Sequence, residues 1–416
     1  MEQKANLSLI KTLNEIRILN LIREYGPISR SELAKRTRIS KVAISDIINR
    51  LNETGFILEI GKGKSTHRGG KRPTMIKLNP ENGYVLGIEI KRQFSQIAIA
   101  DIEARIVDIE RIEYPVGTPV GEAIDLILVA IDRVLEKLKI PTYKLISIGI
   151  AIPGFINYEK GELHFAATLH NWEDQPLAAR FVDKFNVPTI VENDVNAITL
   201  AESSTAVGYK HNNTVCIWIG DGLGSGIIVD GQLVRGKNGS AGEIGYLELG
   251  YFIQQQEWVK GLYCGQTYFG DILTDSNLCR ALMQSCQKCP ILTGHEKPLN
   301  EYLKLADNGH KELYPVLDEY AELVAIICVH YIKSINPDMI ILSGMIIDAS
   351  KYLYERIYNR VDEMMKNISI QPTQITLGTL KNRACVQGSI TLALQTIFEP
   401  PITHKRNRFQ FVKNPL

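Results

Sequence analysis

Residues 28–56, ISRSELAKRTRISKVAISDIINRLNETGF, decide how this chain of 416 residues is read. Two short helical segments lie a tight turn apart, and the second stops at Gly55. Ser29 opens the first, and Glu32 follows three residues on. That is a capping box, in which the hydroxyl accepts from an orphan backbone N–H and the carboxylate reaches back to the cap. Ser40 opens the second, where Ile44, Ile47, Ile48 and Leu51 recur at i, i+3, i+4 and i+7 and form a stripe that packs inward. Ser40, Lys41, Ser45 and Asn49 fall off the stripe. Small polar and cationic groups on the outer face of a second helix suit base edges in a major groove. An ordinary helical hairpin with solvated charges has the same pattern, so the neighbouring sequence has to separate the two.

It does so through charge. Residues 56–60 read as a strand, GKGKSTHRGGKRP (61–73) as a Gly-rich tip, and residues 74–78 as the returning strand. The tip carries Lys62, Lys64, Arg68, Lys71 and Arg72, and a cationic wing of this kind follows phosphates or enters a minor groove. Residues 1–77 hold 16 Lys and Arg against 7 Asp and Glu, a balance of +9, while the remaining 339 hold 31 against 39, or −8. The expected partner of the first segment is therefore double-stranded DNA, and the body has no general affinity for polyanions.

Length allows two or three domains with sizeable cores, and the composition is that of an ordinary globular chain. The N-terminal stretch is amphipathic without the continuous apolar core of a leader, and no run approaches the ~20 apolar residues of a spanning helix. The seven cysteines lack disulfide-scaffold spacing. The expectation is a cytoplasmic protein without membrane contact.

Taken in order, residues 7–25 read as a helix stopped by Gly26-Pro27, and the turn cluster at 79–83 marks a boundary. Strands follow at 84–90, 96–101 and 106–114, a helix at 121–138, a strand at 145–150, a strand at 189–192 and a helix at 197–206. Then come strands at 214–219 and 225–229, a helix at 320–335, a buried strand at 339–343 and a closing helix at 389–398. Three strands, a helix and a strand, then the same order again, describe a duplicated α/β domain enclosing a cleft. The expected domains are 1–78, a winged helix-turn-helix; 79–398, the two-lobed body; and 399–416, a weakly ordered tail.

A helix-turn-helix with a GGKRP wing, followed by GIEI, GIAIPG, VENDVNA, GDGLGSG and AGEIGY in that order, resembles the ROK family of bacterial sugar-responsive repressors and sugar kinases. The resemblance covers almost the whole chain and implies an actin-like ATPase fold. The N-terminal domain points to its repressor branch, whose members answer to xylose, N-acetylglucosamine or glucose. In the kinases, an Asp-x-Gly-x-Thr turn after the first strand holds metal and phosphates. Here its place is taken by Glu89-Ile90-Lys91-Arg92-Gln93. A phosphate loop needs small residues so that backbone N–H groups approach the ligand, and no hydroxyl follows for Mg²⁺. The second loop, 220–226, keeps its glycines, which are also ordinary turn residues.

Asp194 matches the family's catalytic base and Asn193 a sugar-hydroxyl ligand, although both also suit a helix cap. Without phosphate machinery Asp194 is a binding acceptor only, so no catalytic residue and no cofactor is expected. Glu243 is retained, the family's zinc-ligating His is Tyr246, and its last Glu is Asp271. Leu169 stands where the family has a sugar-binding Asn, leaving Asn171 or His170 for that role if the turn is shifted. The effector set so implied is Asn171, Asn193, Asp194, Glu243, Tyr246 and Asp271. The family's structural zinc is not expected, because LYCGQTYFGD retains only Cys264 of its cysteine run. Cys286 and Cys289, with Cys279 or Cys264, are either free thiols or a relocated site.

The function expected is a homodimeric, or tetrameric, repressor of a carbohydrate-utilisation operon with a sugar effector in its cleft. The rivals are an ATP-dependent sugar kinase with an attached DNA-binding head, and a constitutive DNA-binding or scaffold protein with a vestigial cleft.

Overall fold

The computed structural model describes residues 2–63, 72–169, 171–205, 211–248, 268–286, 297–368 and 372–399. The chain packs into two compact units, residues 1–192 with 389–416, and residues 193–388.

The first unit begins with a winged helix: α1 (Glu2–Tyr25), β1 (Ile28–Ser29), α2 (Arg30–Thr37), α3 (Lys41–Glu53), β2 (Ile57–Lys62) and β3 (Thr74–Leu78). Both serines cap as their positions predict. Ser29 Oγ accepts from the Glu32 N–H and Ser40 Oγ from the Ala43 N–H, each at 3.2 Å, and each bond contributes about 1 kcal/mol. The Glu32 carboxylate accepts from Arg36 one turn on, where the capping-box pattern expects it back at the cap. Arg38 makes the turn between α2 and α3 with φ 60°, its N–H bonded to Ala34 O. Ile18 of α1, Leu33 of α2 and Ile44 and Ile48 of α3 have no exposed surface. The buried stripe read in the sequence is what clamps the three helices.

β1 escapes the sequence reading because two residues are too short to show alternation. Ile28 pairs with Ile76, giving a three-stranded sheet in the order β1-β3-β2. This pairing joins the helix-turn-helix to the wing.

The same unit continues with β4 (Tyr84–Ile90), β5 (Phe94–Asp101), β6 (Ile106–Glu113), α4 (Val120–Lys137), β7 (Leu145–Ile152), β8 (Phe155–Asn157), β9 (Glu162–Phe165), α5 (Leu177–Phe185) and β10 (Thr189–Asn193). Their main sheet has the order β10-β7-β4-β5-β6. β4, β5 and β6 form an antiparallel meander, and β7 lies parallel to β4. The second unit holds α6 (Asp194–Ser203), β11 (Thr214–Ile219), β12 (Leu223–Val229), β13 (Gln232–Leu233), α7 (Phe269–Ile272), α8 (Asp275–Cys286), α9 (Leu299–Asp307), α10 (Tyr314–Ser334), β14 (Met339–Ser343), α11 (Met345–Ala349), α12 (Lys351–Met365) and β15 (Gln374–Leu377). Its sheet order, β13-β12-β11-β14-β15, repeats the order of the first: a meander, then two strands on the side of the meander's first strand, here β14 and β15, both added in parallel. The duplication expected from the sequence is present in the strand order, with β13 and β15 completing a second half in which the sequence showed only β11, β12 and β14.

The last element, α13 (Ala384–Phe398), starts in the second unit and belongs to the first from Ser389 onward. Gly87 and Gly149 are register partners on β4 and β7, and α13 lies over them. A Cβ at Gly149 would stand 2.0 Å from Ser389 O, and one at Gly87 would stand 2.6 Å from Ile390 Cγ1. Helix backbone meets sheet backbone there because neither strand carries a side chain. At its end α13 meets the head, where Asn20 donates to Phe398 O at 2.7 Å and the Arg23 guanidinium lies 4.1 Å over the Phe398 ring.

Boundaries moved where caps or packing outweigh periodicity. α6 begins at Asp194 and not at Ala197, because Asn193 supplies the cap. α10 begins at Tyr314, with Pro315 in its first turn, a position where the missing N–H is no loss. α13 begins at Ala384 and not at Ser389. Among the described residues no helix is long and apolar enough to cross a membrane.

Candidate functional site

The head presents its predicted residues on one face of α3. Lys41 and Asn49 are exposed and Ser45 half-exposed, on the side away from Ile44, Ile47, Ile48 and Leu51. Ser40 spends one lone pair on its cap and keeps its O–H to donate. Asn49 is already engaged: its Oδ1 accepts from Arg30 Nη2 at 3.0 Å, and the same guanidinium nitrogen pairs with Glu59 at 2.9 Å. That network fixes the amide so that its NH₂ faces outward as a donor. Arg30 was not singled out in the sequence, since its partners lie 19 and 29 residues away.

The wing strands carry Lys62 at the end of β2, paired in register with Thr74, and Arg72 exposed just before β3. Gly63 N–H closes on Pro73 O at 2.8 Å. Lys64, Arg68 and Lys71 lie outside the described residues. Two further residues on the outer face of α3, Val42 and Asp46, are exposed.

In the second unit, the strand-to-helix turn places Asn193 and Asp194 at the start of α6. Asn193 Oδ1 accepts from the Val195 and Asn196 N–H groups at 2.8 and 3.2 Å, and Asp194 Oδ1 from Val195 at 2.9 Å. The capping role holds for Asn193, and Asp194 is 7% exposed. Glu243 and Tyr246 come from the turn after β13, and Asp271 from α7. Gly242, with φ 90°, brings that turn against β12: a Cβ would lie 2.0 Å from Ser225 O. Its carbonyl accepts from both the N–H and the hydroxyl of Ser225.

These carboxylates sense one another. The Glu243 carboxyl is pushed up to about 7, first by burial and then by the Asp194 charge. The Tyr246 phenol is raised by burial, then by Glu243 and Asp271, and its ring meets Tyr268 edge-on at 6.2 Å. Near neutral pH Glu243 thus both donates and accepts, which suits a hydroxyl-bearing ligand. The stability sign is fixed as well. With the folded value above the ordinary 4.5, Glu243's contribution is intact below pH 4.5 and is lost as pH rises through about 7. Glu243→Gln is expected to melt about 2–4 °C higher than the parent at pH 8, the gain shrinking towards pH 5. A pH-independent difference in melting curves would show that the carboxyl titrates normally.

Asn171 lies in the first unit, exposed, with φ 66° in a turn. Its neighbours Leu169 and Trp172 are 4% and 3% exposed, and the Trp172 indole N–H donates to Thr118 O at 3.1 Å, so both anchor the core of that unit. His170 lies outside the described residues.

At the first loop position, Lys91 N–H closes on Phe94 O at 2.9 Å, its carbonyl accepts from the Tyr114 hydroxyl, and its ammonium lies 3.9 Å from the buried Glu89 carboxylate. At the second, Gly220 N–H bonds to Gly222 O within a short hairpin turn. Asp221 in that turn and Asp275 beside it were not read as a pair; burial and then the Asp221 charge raise the Asp275 carboxyl to about 6. Cys279 donates to Lys297 O at 3.7 Å; Cys264, Cys289 and the side chain of Cys286 lie outside the described residues.

A family model described as "ROK family" matches residues 85–396, and one described as "MarR family" matches residues 11–58. Among curated proteins, the chain is 25% identical over 400 residues to a xylose repressor of Caldicellulosiruptor bescii, covering 95% of this chain and 99% of that one. It is 25% identical over 360 residues to an N-acetylglucosamine repressor of Escherichia coli O157:H7, covering 84% and 85%. Among solved structures, a ROK family transcriptional regulator described as a homologue of an E. coli MLC protein superposes with a TM-score of 0.79 at 22% identity, covering 94% of this chain and 98% of that one. That likeness extends through the head as well as the body.

Proposed function

The chain belongs to the ROK family, and from that premise we propose that it is a DNA-binding transcriptional repressor of a carbohydrate-utilisation operon, governed by a sugar or sugar-like effector. The observation that carries this reading is the exposed face of α3 beside a basic wing, on a segment with a balance of +9. The xylose and N-acetylglucosamine repressors it resembles support a carbohydrate effector. Asn193, Asp194, Glu243, Tyr246 and Asp271 offer donors and acceptors for sugar hydroxyls, with Tyr246 supplying a ring face. Asn171 remains a candidate from its position in the sequence.

The protein is proposed to act in the cytoplasm as a homodimer, setting two recognition helices ~34–36 Å apart on a pseudo-palindromic operator. The effector shifts the population between two arrangements of the heads by its differential affinity for them. A non-catalytic body is favoured by the Lys91–Glu89 pair in place of a phosphate loop and by the Asp221 and Asp275 carboxylates at the second loop, which repel phosphate. The kinase reading keeps one specific support, the buried Asp194 in the position of a base. A coupled ADP-release assay over a sugar panel separates them: turnover abolished in Asp194→Asn would establish the kinase.

The direct test is fluorescence anisotropy of the full chain on duplexes from upstream of its own coding region. Sequence-specific binding at moderate salt is expected, and its absence would end the proposal. In the same assay, Lys62→Ala with Arg72→Ala is expected to lower the slope of log affinity against log salt by about 0.9 per lost phosphate contact, roughly 1.8 in all. An unchanged slope would remove the wing from the interface.

A further inference from the structure

α3 opens with an apolar side chain that its core does not use. Val42 is 73% exposed, one residue after Lys41, on a helix whose buried positions are Ile44, Ile47, Ile48 and Leu51. It begins an outward row at i, i+3, i+4 and i+7: Val42, Ser45, Asp46 and Asn49. Most of that row is polar, so Val42 is a single methyl-bearing group within a polar face, and not part of an apolar patch that another protein would cover. It also sits in the first turn of the helix, just after the Ser40 cap, and the first turn is the part of a recognition helix that reaches deepest into a major groove. The charge of the surrounding head attracts a polyanion.

We infer that Val42 reads the 5-methyl group of a thymine in each operator half-site. The inference rests on the DNA-binding reading above and adds a residue that discriminates sequence. In a major groove the thymine methyl is the one apolar mark on a base edge, and an isopropyl group is matched to it. The neighbouring side chains narrow the site further. Asn49, its oxygen held by Arg30, offers only a donor, and Asp46 offers only an acceptor. Asp46 on the same row also disfavours a phosphate at this point, so the row faces bases and leaves phosphates to Lys41 and the wing. Burial of one methyl against Val42 predicts about a fourfold contribution to affinity.

The experiment uses the full chain and a random-sequence duplex pool from which bound duplexes are selected and sequenced. Each thymine of the recovered consensus is then replaced in turn by deoxyuridine, which removes the methyl and keeps the hydrogen-bonding edges, and affinity is read by anisotropy. One thymine per half-site is expected to show a loss of about fourfold. That loss is expected to persist in Val42→Ile and to vanish in Val42→Ala, a change at an exposed helical position that alanine favours. A consensus insensitive to every deoxyuridine, or an equal penalty in Val42→Ala, overturns the inference while leaving DNA binding intact. If no consensus is enriched at all, the DNA-binding reading fails and the assignment of Val42 fails with it.

Discussion

Gly149→Val is expected to unseat the C-terminal helix and to lower both thermal stability and DNA affinity, although the residue lies in the body. The added Cβ would stand 2.0 Å from Ser389 O and 2.9 Å from Ala393 N, and both are helix backbone that cannot rotate aside. Overpacking of a tight core costs about 1–3 kcal/mol and more where backbone must move; a loss of about 3 kcal/mol corresponds to roughly 6–12 °C for a unit of this size. Ile390 and Ala393 of α13, which meet Gly87 and Gly149, are buried and would be partly exposed. The far end of the same helix is the Phe398 held by Asn20 and Arg23 of α1, so the head loses its footing with it. Differential scanning calorimetry with operator binding checks both parts. A variant that melted like the parent would mean that α13 does not rest on these glycines.

Asp194→Asn is expected to weaken the effector by roughly 10–100-fold, the range for a charged hydrogen bond lost from a buried site. The operator-response curve should move to higher sugar concentration by the same factor. The effector is identified first, by mass spectrometry of co-purified ligand or by thermal shift across a sugar panel. A second readout is specific to the carboxylate pair. Because the Asp194 charge raises Glu243, its removal should bring Glu243 down from about 7 towards 4.5. The pH-dependent gain of Glu243→Gln should then shrink in the Asp194→Asn background. An unchanged response curve would take Asp194 out of the pocket, and an unchanged Glu243 titration would show that the two carboxylates do not interact.

Part of this protein was legible because local rules and tertiary demands agree. The Ile44, Ile47, Ile48 and Leu51 stripe has one packing solution, and Ser29 and Ser40 cap the helices that their spacing announces. The strand runs 84–90 and 214–219 are mostly apolar segments that suit a buried sheet, and the similar succession of strands after each gave the duplication. The candidate effector residues of the second unit were readable through the resemblance, on motifs that stand in order along the chain.

What escaped was short, distant or contrary to pattern. β1 has two residues, too few for any period. α5, α7, α8, α9, α11 and α12 escaped too; α7 and α11 are only one turn long, whereas α5 buries Leu177, Ala178, Phe181 and Phe185 on a plain helical stripe. The Arg30 clasp on Asn49 and Glu59, the exposure of Val42, and the approach of Asp221 to Asp275 belong to no local motif.

By itself, then, the sequence determined the helix-turn-helix and the succession of the main strands along the chain, because capping and periodicity act between residues a few positions apart; the acidic residues were named through the family resemblance. Only the tertiary structure decided which way the Asn49 amide faces, that α13 seats its backbone on Gly87 and Gly149, and that Glu243 titrates near neutrality beside Asp194. Each of those depends on distances and burial between groups tens to hundreds of residues apart, and spacing along a chain does not encode them.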